Sequence, residues 1–145
     1  MRTLLAGVAI GILLVTLAGC GRLMHPRAGE MLAQAKGADG IETQTNLIAQ
    51  MDRSIDNLRG QRDYEAGLET LHNQLYALRE AGCEVTEAQS KTPAYARVVT
   101  LRKEVGTVFH RLWKMREDHA LRDIHLDLLD KRLHELSDAL HTVKG

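Results

Sequence analysis

Between Val98 and Val143 apolar side chains return at alternating steps of three and four. The first set is Val98, Leu101, Val105, Val108, Leu112 and Met115; the second is Leu126, Leu129, Leu133, Leu136, Leu140 and Val143. A face kept at that rhythm can be buried only as a helix, because 3.6 residues complete a turn and the stripe stays aligned. The two sets share one register, with His119 and Arg122 in the positions between. One helix of about 50 residues, roughly 75 Å long, satisfies the pattern, and so does a hairpin turning near residues 116–121. Leu121, Ile124 and Leu128 lie well around the helix from Leu129, Leu133 and Leu136. That arc is wider than the seam of a two-stranded coiled coil and calls for packing on two sides.

The first half carries two shorter stripes. Ile48, Met51, Ile55 and Leu58 form one; Tyr64, Leu68, Leu71, Leu75 and Leu78 form the other. Gly60 sits in the six-residue gap between them, where a helix interior would lose about 1 kcal/mol to glycine, so a bend or tight turn is expected. Gly82 suits a helix C-cap, and Thr92 with Pro93 suits an N-cap and first helical residue. There are only 2 prolines, Pro26 and Pro93, and no β-branched alternation, so strands are not expected. The fold class is all-α: an antiparallel helical bundle of three to four helices or a long coiled-coil helical hairpin. The two differ mainly at Gly60 and His119.

Ahead of the helices, Met1-Arg2-Thr3 is followed by an apolar run from Leu4 to Ala18 broken only by Thr16. A basic start, about 15 apolar residues and small residues behind them describe an export signal. A membrane span usually needs about 20 apolar residues, and Gly21, Arg22, His25 and Arg27 close this run early. Leu17-Ala18-Gly19-Cys20 resembles the lipobox of bacterial lipoproteins, a leucine, a small residue, a glycine or alanine, then cysteine. The resemblance implies cleavage before Cys20, diacylation of its sulfur and acylation, palmitate being typical, of the new amino terminus. It also implies that Gly21, where an aspartate would signal inner-membrane retention, sends the protein to the outer membrane, periplasmic face, in a Gram-negative host. Two or three acyl chains, at about 0.8 kcal/mol per buried methylene, give stable anchoring. The organisation expected is a signal peptide over 1–19, a lipidated flexible tether over 20–40, punctuated by Pro26, Gly29, Gly37 and Gly40, and a helical domain over 41–145.

Removing residues 1–19 takes away Arg2 and no acid, leaving 18 basic against 19 acidic residues. That balance gives no support for a nucleic-acid partner or for a basic surface that binds anionic lipid. With Cys20 lipidated, Cys83 is the one thiol left, read either as an intermolecular disulfide or as a lone thiol in a turn. Aromatic residues are 3% of the chain, fewer than an aromatic ligand cage would use. Trp113 is a candidate partner-binding residue and equally a core residue beside Leu112, whereas Phe109 reads as core.

Histidines crowd the last third: His110, His119, His125, His134 and His141. Imidazole titrates near neutrality and suits zinc, copper or nickel. Four-residue spacing puts Met115 with His119, His119 with Asp123, Asp130 with His134 and His134 with Asp138 on shared helix faces. The best metal cluster in the sequence is Met115, His119 and Asp123, which His72 could join from another helix. One helix supplies two ligands where zinc wants three or four, so solvated helix faces explain the same pairs. No Gly-x-Ser-x-Gly, His-Glu-x-x-His or phosphate-cradling glycine loop occurs, and Cys83 in a glycine-flanked turn makes a poor nucleophile. An enzyme is not expected. The expectation is a membrane-anchored periplasmic lipoprotein that binds an envelope protein or itself through amphipathic helices, with a histidine-based metal- or pH-responsive protein as the alternative.

Overall fold

A computed structural model describes residues 25–61 and 64–144; the signal peptide and Cys20 lie outside the described residues. Every regular element among those residues is helical, in the order α1 (Pro26–Gln34), α2 (Gly40–Leu58), α3 (Glu65–Ala81), a 3-10 turn (Gly82–Glu84), α4 (Glu87–Ser90), α5 (Pro93–Lys114) and α6 (His119–Lys144). The architecture is an antiparallel bundle of four long helices, α2, α3, α5 and α6, with two short helices attached. None of the described helices is long and apolar enough to cross a membrane.

The expected stripes are the core. Ile48, Met51, Ile55 and Leu58 of α2, Val98, Leu101, Val105 and Leu112 of α5, and Leu126, Leu129, Leu133, Leu136 and Leu140 of α6 are all buried. α5 and α6 share the largest interface, α2 packs on both α3 and α6, and α3 and α5 meet over only a short stretch. The four helices therefore surround the core in the order α3, α2, α6, α5, closed on three sides.

Both ambiguous turns are turns. Gly60 has φ +81, a left-handed conformation that a side chain resists, and it reverses the chain between α2 and α3. The hairpin at 115–118 ends α5 with Arg111 and Lys114 in its last turn, where positive charge suits the helix dipole. Asp118 then accepts from the Leu121 N–H at 3.1 Å and opens α6 as an N-cap does. Its placement corrects two expectations. His119 is exposed at the start of α6 instead of lying in the seam, and Met115 and His119 do not share a helix face, because the helix is broken between them. The wide arc at Leu121 and Ile124 is not covered either: they are 39% and 61% exposed, while Leu128 is packed against the core.

Residues 26–35 differ from the tether expected there. Pro26 stands in the first turn of α1, and Ala28, Leu32 and Ala35 are buried, spaced four and three apart to give a narrow face that packs on α3. Arg27–Glu69 and Lys36–Glu84 pair along its rim. Asp39 caps α2 by accepting from Glu42 N–H at 2.9 Å and is held by Gln89 at 3.0 Å. Those bonds, the Glu42 one first, lower its carboxyl below the usual range.

Candidate functional site

The short contact between α3 and α5 leaves a groove of about 1000 Å³ along the bundle. On the α3 wall stand His72, Leu75, Tyr76 and Arg79, one helix face at positions i, i+3, i+4 and i+7. On the α5 wall stand Val99, Arg102, Lys103, Gly106, His110 and Trp113. Val99, Arg102, Gly106 and Trp113 repeat the rhythm of the core stripe one residue later, about 100° around the helix, and Lys103 and His110 stand beside that row. α5 thus has two working faces, and only one of them is filled from inside the bundle.

The groove is polarised along its length. At one end His72, Tyr76, Phe109 and Trp113 pack together. His72 lies parallel to Phe109 with ring centroids 5.7 Å apart and 5.5 Å from Trp113, while His25, just before α1, stacks on Tyr76 at 3.7 Å. Burial among these rings, and then the nearby charge of His25, holds the His72 imidazole below its ordinary pKa. At the other end Arg79, Arg102 and Lys103 bring three permanent cations to the wall, and no carboxylate lines the groove.

Arg102 is held in place. Its Nη1 donates to Gln44 Oε1 at 2.9 Å and lies against the Tyr95 hydroxyl at 3.5 Å. Gln44 is itself fully buried and donates to the Gly40 carbonyl at 3.0 Å, and the Tyr95 hydroxyl donates to the Gly82 carbonyl at 3.2 Å. A side chain at Gly82 would stand 1.9 Å from the same Nη1, so this glycine leaves the guanidinium its seat. The remaining fork, Nε and Nη2, makes no hydrogen bond among the described residues, which suits it to a carboxylate or phosphate from outside. Gly106 is the opposite case. Its added Cβ would meet nothing within 4 Å, so its effect is to widen the slot at a cost of about 1 kcal/mol in helix propensity.

The residues singled out in the sequence fall in three places. Trp113, half-buried, forms the groove wall and carries Arg116 over its ring at 5.5 Å. Cys83 is exposed and unpaired in the 3-10 turn beside Gly82. Met115, His119 and Asp123 lie around the α5–α6 turn, where Asp123 pairs with Arg122 at 3.3 Å. His125, His134 and His141 each set Nδ1 against the carbonyl four residues back, at 2.7, 3.0 and 2.7 Å.

A different set of potential ligands converges on the opposite side of the bundle. Asp52 of α2 meets Asp130 and His134 of α6, with one ligand atom from each lying within 4.8 Å of the others. The Asp130–His134 pair was visible in the sequence as a four-residue spacing; Asp52 was not, because only the packing of α2 on α6 brings it there. Asp52 Oδ1 is buried without a hydrogen bond among the described residues, and burial raises its carboxyl pKa. Arg59 donates to Asp130 Oδ2 at 3.0 Å and also pairs with Asp127. His134 is raised, first by its bond to the Asp130 carbonyl and then, against a burial cost, by the charges of Asp52 and Asp130. Two carboxylates and an imidazole suit a divalent transition metal, but they also satisfy one another as an ion cluster with Arg59.

Comparison with protein-family models, with curated proteins and with solved structures gives no match to this chain.

Proposed function

We propose that this is a non-enzymatic, lipid-anchored protein of the bacterial envelope that binds another protein molecule by taking a helical face into the α3–α5 groove. The observation that carries the reading is the second face of α5: Val99, Arg102, Lys103, Gly106, His110 and Trp113 line a slot between two antiparallel helices. Laying an apolar helix face into a groove of this kind is a common mode of peptide recognition. The lipobox resemblance at Leu17-Ala18-Gly19-Cys20 supplies the anchor and the outer-membrane, periplasmic location. Cys20→Ser is expected to abolish palmitate incorporation and release the chain from membranes.

The binding reading is tested by photo-crosslinking in cells from the lipidated chain. A photoreactive residue replacing Thr107, on the groove wall, is expected to give a defined protein adduct; one replacing Asn57, exposed on α2 away from the groove, is expected to give none. Adducts only to lipid from position 107, or equal protein labelling from both positions, contradict it.

A second reading, a metal-responsive protein, draws on the Asp52–Asp130–His134 convergence. It requires that zinc, copper or nickel raise the unfolding temperature and that His134→Gln remove the effect. Loss of the effect with His119→Gln instead would reject the Asp52–Asp130–His134 site. No shift with any of the three metals rejects the reading.

A further inference from the structure

Among the described residues two faces have no partner, and they are opposite in form and in charge. The groove is a slot with three permanent cations and no carboxylate on its walls. The other face is a ridge on α6. Leu121 and Ile124 are exposed there with Leu128 part-buried below them, at steps of three and four that align them over about 10 Å. Met115, in the turn before α6, is 37% exposed. Four exposed acids flank it, Glu117, Asp118, Asp123 and Asp127, of which Asp118 caps α6 and Asp127 pairs with Arg59. Between residues 115 and 128 the only lysine or arginine residues are Arg116, set over the Trp113 ring at 5.5 Å, and Arg122, turned inward over the Tyr64 ring at 3.8 Å.

We propose that the α6 ridge of one copy seats in the α3–α5 groove of a second copy, so that the chain assembles head to tail. This names the partner for the groove and rests on the reading of the groove as the binding site.

Single exposed apolar side chains are ordinary; what carries the inference is the match between a ridge and a slot on one chain. The length agrees. The α3 wall from His72 to Arg79 spans about 10 Å, as the ridge does, and the α5 wall from Val99 to Trp113 about 21 Å, long enough to hold it. Leu121, Ile124 and Leu128 form the kind of row that packs between the rows of neighbouring helices. The charge agrees as well. Glu117 and Asp123 touch only neighbouring bases on their own segment, Arg116 at 4.0 Å and Arg122 at 3.3 Å, and both stay open to the cations of a second molecule. With residues 1–19 removed the chain keeps 18 basic against 19 acidic residues, so long-range repulsion opposing association is small.

The molecule already contains one contact of this design. α1 lays Ala28, Leu32 and Ala35 on the outer side of α3 and is rimmed by Arg27–Glu69 and Lys36–Glu84. The groove lies along α3 beside it and offers the same kind of bed, which no described element fills. Ridge and groove are separate patches, so the contact is heterologous, and it propagates instead of stopping at a symmetric dimer.

The test is sedimentation velocity of the full lipidated chain in detergent across a hundred-fold range of concentration. The mass is expected to rise with concentration past that of a dimer. Ile124→Glu removes the ridge and Gly106→Phe fills the groove; both sites are open, so both variants are expected to keep the helical circular dichroism of the wild type and to unfold at no lower temperature. Each is expected to weaken association at least ten-fold. Mixed together they restore one junction, between the intact groove of the first and the intact ridge of the second, and a 1:1 complex that grows no further is expected. Shared micelles affect all variants alike and cannot produce that pattern. A monomer at every concentration, assembly indifferent to both substitutions, or a mixture that forms no 1:1 complex overturns the proposal. If the chain is monomeric while position 107 still crosslinks to a different envelope protein, self-assembly falls and the groove reading stands.

Discussion

Between α2 and α6 the bundle is closed: α2 turns Met51 and Ile55 inward, α6 turns Leu129 and Leu133 inward, and all four are fully buried. Arg59 and the Asp52–Asp130–His134 cluster then tie the rim of that seam. Between α3 and α5 the same helical spacing carries different residues. Where the seam has aliphatic side chains, α5 has Val99, Arg102, Lys103, Gly106, His110 and Trp113, and the two helices stand apart around about 1000 Å³. Helical periodicity decides which residues share a face, but a face closes only when its side chains can fill the gap and need no water. Long cations and a glycine keep this one open. The seam is filled by its own side chains, and among the described residues the groove is not.

The largest expected effect breaks the seam. Ile55→Ala is expected to destabilise by about 2–5 kcal/mol, because a buried aliphatic is replaced by a cavity. Val99→Ala on the groove wall, a smaller truncation at a part-buried site, is expected to cost less than about 1 kcal/mol. Urea unfolding of the two variants measures the contrast, and equal costs would remove it. Next is Gly106→Ala, which is expected to stabilise by about 1 kcal/mol, since the helix gains propensity and the methyl meets open space. Destabilisation would mean that the wall is already filled. A smaller gain, below about 1 kcal/mol, is expected from Asp52→Asn, which removes a partly desolvated carboxylate whose Oδ1 lacks a donor.

The smallest effects are in pH dependence, and the two regions differ in sign. His72 in the groove has a lowered pKa. Its contribution is therefore complete above the unfolded value near 6.5 and is lost as pH falls through the folded value. His134 at the seam has a raised pKa, so its contribution is complete below about 6.5 and is lost as pH rises through the folded value. Denaturant midpoints between pH 5 and 8 are expected to lose their acid-side decline in His72→Gln and their alkaline-side decline in His134→Gln.

Much of the fold is legible in the residues, because long stripes such as Val98 to Leu112 and Leu126 to Leu140 leave a helix little choice of face. The turn at 115–118 is less so: the register runs through it unbroken, and Asp118 would be as ordinary on the surface of a straight helix as it is at an N-cap. α1 shows in the sequence as no more than a helical turn around Glu30 to Gln34, because its buried face is Ala28, Leu32 and Ala35, mostly small residues with a weak apolar signal among glycines. The groove is harder still. Val99, Gly106 and Trp113 repeat at steps of seven, yet a second stripe marks a binding face only once α3 is known to stand beside it unfilled. The Asp52 cluster depends in the same way on which helix neighbours α6.

Trp113 is the only tryptophan of the chain and stands on the groove wall, so its fluorescence reports on that surface alone. The most direct measurement is acrylamide quenching of the full lipidated chain as a function of concentration. The expected result is a quenching constant that falls as the chain is concentrated and its groove is covered, and that stays high in Ile124→Glu. A constant that does not change with concentration, or changes equally in Ile124→Glu, would contradict occupation of the groove by the ridge of another copy.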